Sequence, residues 1–156
     1  MLFRSVCDIG YTSSLGPNPE LDKAKAFLTE LRTLLPKLFD EAVPGGVIWR
    51  DVDERIRGAD YDNIHAMYPF SVLGHRVHRI KAQGPALSLI NFGWQSYWEF
   101  LSRGLFGQLL NGDFAGDLTG LWAIEPHVGA ADFGAKFEEL LLVGPNGARW
   151  LGEAFI

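Results

Sequence analysis

Leu121-Trp122-Ala123-Ile124-Glu125-Pro126-His127 sets a carboxylate at the end of an apolar run. Glu138, thirteen residues further on, does the same in Phe137-Glu138-Glu139-Leu140-Leu141-Leu142-Val143. Both segments read as buried strands. An ionised carboxylate in apolar surroundings is costly unless a cation or a dense hydrogen-bond network compensates it. Two such strands lying close together point to one shared cation. Of the adjacent pair Glu138 and Glu139, strand alternation turns one inward and the other outward.

The neighbouring segments give an α+β order. Gly144-Pro145-Asn146-Gly147 separates the second strand from another at 148–151, and Asn-Gly between apolar runs is a strong hairpin signal. At the other end, residues 1–12 alternate through Phe3, Val6 and Ile9 as a strand. Residues 14–20 form a loop in which Asn18 is the N-cap and Pro19 the first helical residue. From Leu21 the positions Ala24, Phe27, Leu28, Leu31, Leu34, Leu35, Leu38 and Phe39 keep helical spacing. Pro36 is expected to kink or divide this helix and Pro44-Gly45-Gly46 to end it. A short amphipathic helix is predicted at 49–57, closed by Gly58. Residues 64–80 read as extended chain interrupted at Leu73-Gly74-His75, 85–92 as a strand, and 93–112 as an aromatic-rich helical excursion packed on the core. Strand, helices, then mostly strands is the α+β pattern.

Composition narrows the classes. The 156 residues are 47% hydrophobic, enough for one domain with a real core. The net charge of −5, without a basic run, argues against a nucleic-acid partner. A single cysteine, Cys7, excludes an intramolecular disulfide framework and fits a reducing compartment. It reads as a small buried filler. No apolar stretch reaches the ~20 residues that span a bilayer, and no signal peptide is evident, so a cytoplasmic location is expected.

Asp8, His75, Glu125 and Glu138 stand apart as candidate metal ligands. Three oxygen donors and an imidazole suit Mn, Co, Fe or Zn. The motifs around them resemble the pita-bread metallopeptidases, the family of methionine aminopeptidase, Xaa-Pro aminopeptidase, Xaa-Pro dipeptidase and creatinase. Asp8-Ile9-Gly10-Tyr11-Thr12 looks like the family's Asp-Ile-Thr-Arg-Thr segment, and Ala42-Val43-Pro44-Gly45 like the Lys-Pro-Gly after its long helix. Gly74-His75-Arg76-Val77 looks like Gly-His-Gly-Ile, with Pro85 as the final proline of that motif. Leu121 to Pro126 resembles the Ile-Glu-Pro strand, and Phe137 to Val143 the Ile-Glu-Asp strand with its closing hairpin.

The resemblance implies a curved antiparallel sheet backed by helices, shortened at the N-terminus. Residues 1–156 would be the later portion of one catalytic domain, with an aromatic-rich insertion at about 93–119. It also implies one or two divalent ions (Mn, Co or Zn), Asp8 and Glu138 as bridging carboxylates, and His75 and Glu125 completing the first ion's shell. Glu125 and His75 would be the catalytic residues, Glu125 placed for proton transfer, acting on short peptides of the Xaa-Pro type. The chain departs from the pattern in lacking the family's first metal-binding aspartate. Ala82 and Gln83 replace a histidine and a glutamate, Tyr11 an arginine, and Arg76 a glycine. His65, His78 and His127 are read as polar surface or turn residues.

Two functions follow. One is a metal-dependent exopeptidase-like protein. The other is a catalytically inactive relative acting as a binding or scaffold module. An open strand edge would make the chain a homodimer.

Overall fold

A computed structural model describes residues 3–5, 9–41, 43–81, 102 and 104–152. Asp8, Cys7, Ala82, Gln83, the strand expected at 85–92 and half of the expected aromatic helix lie outside the described residues. Within them the chain is α+β: an open antiparallel sheet and two helices.

Helix α1 spans Pro19–Asp40, and the side chain of Asn18 accepts a hydrogen bond from the Leu21 amide at 3.1 Å, the cap that the sequence predicts. Its buried stripe is Leu21, Ala24, Leu28, Leu31, Leu35, Leu38 and Phe39. Pro36 lies inside it without dividing it. The proline has no N–H for the carbonyl of Arg32, four residues back, and its ring pushes that carbonyl aside. The indole Nε1 of Trp150 donates to the freed oxygen at 2.8 Å, so a residue from the last strand completes the helix's hydrogen bonding. Trp150→Phe is expected to cost about 1–3 kcal/mol by stranding that carbonyl, and clearly less in a Pro36→Ala background, where the backbone supplies the donor. Urea denaturation of the two single variants and the double variant checks this.

Helix α2 spans Gly45–Gly58, longer than expected at its start. Pro44-Gly45-Gly46 opens this helix rather than closing α1, because the glycines let it press against the loop at 112–114. A Cβ on Gly46 would lie 2.3 Å from the Gly112 carbonyl oxygen.

The strands are β1 (Phe3–Ser5), β2 (Gly10–Tyr11), β3 (Asp62–Asn63), β4 (Gly74–Arg76), β5 (Arg79–Lys81), β6 (Leu109–Leu110), β7 (Gly120–Ile124), β8 (His127–Ala130), β9 (Phe133–Gly144) and β10 (Gly147–Trp150). β1 pairs with β5 alone; the others are linked by pairing along the path β3-β8-β9-β7-β4-β6, with β2 and β10 also paired to β9. All pairings are antiparallel. The expected Asn146-Gly147 hairpin joins β9 to β10, with Gly147 at φ 96°.

The segment expected to be extended at 64–80 begins with two short 3-10 turns, His65–Met67 and Pro69–Ser71. Pro69 favours such a turn and cannot donate to a ladder. His75, expected at an interruption, sits within β4. Gly74 permits this, because a Cβ there would be 2.4 Å from the Ala123 carbonyl oxygen. Leu109 and Leu110, expected to be helical, form β6 beside β4 and are both buried. Two adjacent leucines covering opposite faces of a strand look the same in sequence as part of a buried helix.

β9 organises the molecule. Ala135, Phe137, Glu139, Leu141 and Val143 are buried on its helix-facing side, where α1 packs; Lys136, Glu138, Leu140 and Leu142 lie on the other. Phe137 meets Trp150 edge to face, and Trp122 meets Phe114 the same way.

Candidate functional site

β7 and β8 run along the same edge of β9 in one register, broken only by Glu125-Pro126. Ile124 pairs with Glu139 and His127 with Lys136, so Glu125 falls opposite Glu138 and Pro126 opposite Phe137. Pro126 has no N–H to give, while the Glu125 amide donates to the Leu73 carbonyl at 2.9 Å and so extends the pairing of β7 with β4. Two carboxylates directly opposed across a sheet repel each other. Lys136, two residues before Glu138 on the same face, resolves the conflict. Its Nζ donates to Glu125 Oε2 at 3.1 Å and to Glu138 Oε2 at 3.2 Å.

His75 pairs with Ala123 and therefore points to the same face. Burial, then the Glu138 charge, raise the Glu125 pKa above the usual carboxylate range against the lowering influence of Lys136 and, less, of His75. Burial alone would lower the Lys136 pKa, but hydrogen bonds and charge from Glu125 and Glu138 outweigh it and hold the ammonium protonated. His127, opposite Lys136, accepts at Nδ1 from the Tyr68 hydroxyl, 2.5 Å away. Burial and the Lys136 charge lower its pKa and keep the ring neutral, the form that can accept this bond. Burial likewise raises the Tyr68 pKa, so the phenol remains a donor.

The fold thus brings His75, Glu125 and Glu138 to one face and separates Glu138 from Glu139. Glu139 points into the core, where Arg32 grips it at 2.6 and 2.7 Å. Asp8 lies outside the described residues; β2, just after it in sequence, pairs Gly10 with Glu138.

Lys136 and Tyr68 were not among the sequence candidates. Lys136 had a usable signal, its two-residue spacing from Glu138, whereas Tyr68 is brought in by a loop with no motif. His65 is at a turn, as expected, but fully buried rather than on the surface. His127 joins the site, and His78 is hydrogen-bonded to Gln108 at 2.6 Å.

Two carboxylates and an imidazole have the right chemistry for a hard or borderline divalent ion. As folded, however, the point shared by both carboxylates belongs to a tethered ammonium. Among the described residues no three His, Cys, Asp or Glu side chains gather as metal ligands do. The described donors fit Lys136 rather than a metal. Nor, among the described residues, is any helix long and apolar enough to cross a membrane. No known protein family, curated protein or solved structure matches the chain.

Proposed function

We propose that this chain is a pita-bread-like relative of the metallopeptidases that works as a non-catalytic binding module for short peptides. One observation carries the reading: the Lys136 ammonium bridges Glu125 and Glu138 at the place where the resemblance would put a metal. A cation bonded to both carboxylates removes the like-charge repulsion that a metal would otherwise be needed to relieve. His75, His127 and Tyr68 then surround a polar, partly buried site with hydrogen-bonding capacity.

The second reading, a metal-dependent exopeptidase using Asp8, His75, Glu125 and Glu138, is favoured by the common face of the last three. The two readings separate in one experiment. After loading with Mn²⁺ or Co²⁺ and exhaustive dialysis, elemental analysis is expected to find no stoichiometric metal. A Xaa-Pro dipeptide is expected to bind in calorimetry without being hydrolysed. Stoichiometric metal that disappears in Glu125→Gln, together with hydrolysis, would replace the binding-module reading with the exopeptidase one.

A further inference from the structure

A cavity of about 540 Å³ opens between Trp49, Phe70, Ser71, Asn111, Gly112 and Asp113. It shares no residue with the Glu125–Lys136–Glu138 cluster and stands whatever that site does. Its wall contains two successive non-glycine residues with left-handed backbone, Phe70 at φ 67° and Ser71 at φ 51°. Such conformations persist only where the surroundings over-determine them, and they concentrate at ligand clamps. Both carbonyls of this strained pair are held by side chains lining the same cavity. Asn111 Nδ2 donates to Phe70 O at 3.3 Å, and Trp49 Nε1 donates to Ser71 O at 2.7 Å. Phe70, 51% exposed, lines the cavity together with Trp49.

The polar inventory of the lining is nearly all committed. Asn111 Oδ1 accepts from the Asp113 amide, the Ser71 hydroxyl donates to Ala66 O, and Arg50 donates to Gly112 O. The Asp113 carboxylate is exposed, and no described residue hydrogen-bonds or ion-pairs with it. Two aromatic rings and one unneutralised carboxylate complement a positive charge, and a chain of net charge −5 adds a field of the same sign.

We propose that this cavity binds a small organic ammonium, its charge set against the Trp49 and Phe70 rings and its counter-ion supplied by Asp113. The test is an NMR titration of the ¹⁵N-labelled chain with tetramethylammonium chloride, matched against sodium chloride. The Trp49 indole N–H, assigned through Trp49→Phe, is the reporter. A saturable shift specific to the ammonium is expected. Asp113→Asn, an exposed substitution that leaves the spectrum dispersed, is expected to weaken binding about fivefold, the upper range for one exposed charge pair. Phe70→Leu should weaken it about two- to fivefold through the lost ring. A shift no different from that of sodium chloride, or unchanged affinity in Asp113→Asn, overturns the proposal.

Discussion

Arg32→Ala is expected to destabilise the fold by about 3–5 kcal/mol, the cost of leaving a buried charge without its partner. The Glu139 side chain is 4% exposed and the Arg32 side chain 13%. Their paired hydrogen bonds, at 2.6 and 2.7 Å, are the bidentate geometry in which a guanidinium and a carboxylate bind each other most strongly. That bond with Glu139, followed by the carboxylate's charge, outweighs burial and raises the Arg32 pKa further. Removing Arg32 leaves Glu139 among Phe137, Leu141 and the apolar stripe of α1, with the Tyr11 hydroxyl as a remaining hydrogen-bond partner. It also removes the guanidinium that lies 5.3 Å from the Trp150 ring centroid. Guanidinium chloride denaturation at pH 7 measures the loss. The double variant Arg32→Leu/Glu139→Leu separates pair breakage from pair loss. Replacing both charges by apolar groups is expected to restore most of the stability, since desolvation of a buried pair offsets much of its attraction. A single-variant loss under 1 kcal/mol would mean that water reaches Glu139.

The contrast between Glu138 and Glu139 shows what one strand reveals in sequence. Period-two alternation separates the two carboxylates, and the structure turns them to opposite faces. Which face is core and which is site depends on residues far away. Arg32, 107 positions from Glu139, sits on α1 and has no motif that marks it as a partner. The same limit explains Pro36: the Arg32 carbonyl that it leaves without a helical donor is satisfied by Trp150, 118 positions from Arg32. The N-cap at Asn18 and the hairpin at Asn146-Gly147 were legible because each turn's chemistry is complete within about four residues. The hairpin joining β8 to β9 was missed because its turn, Ala131-Asp132, lacks Asn-Gly or Pro punctuation. At the site, reading only for metal donors singled out Glu125, Glu138 and His75 and passed over Lys136. A cation was expected between the carboxylates, and the described residues supply it as a side chain.

Stability is expected to fall by about 3 kcal/mol between pH 6.5 and pH 4 on account of His65 alone, at about 1.36 kcal/mol per unit of pKa difference. The ring is fully buried. Its Nδ1 is 3.4 Å from the donating His127 amide, which places the ring proton on Nε2. Among the described residues Nε2 has no hydrogen-bond partner, and Trp49 packs edge to face against the ring. Burial, with a smaller contribution from His127 set against the attraction of Asp53, lowers the pKa from 6.5 to about 4. Between those values the unfolded chain carries a proton at this position and the folded chain does not, so acid draws the equilibrium toward unfolding. The contribution is therefore fully present above pH 6.5 and lost as the pH falls toward 4. Carboxylates titrate in part of the same window, so the measurement is a difference. Urea denaturation of the wild type and of His65→Leu at half-unit pH steps should give curves whose separation shifts in the variant's favour by about 3 kcal/mol from pH 6.5 to pH 4. Parallel curves would mean that His65 gains a proton in the folded chain as readily as in the unfolded one. That would require an acceptor for Nε2 or access of water to the ring.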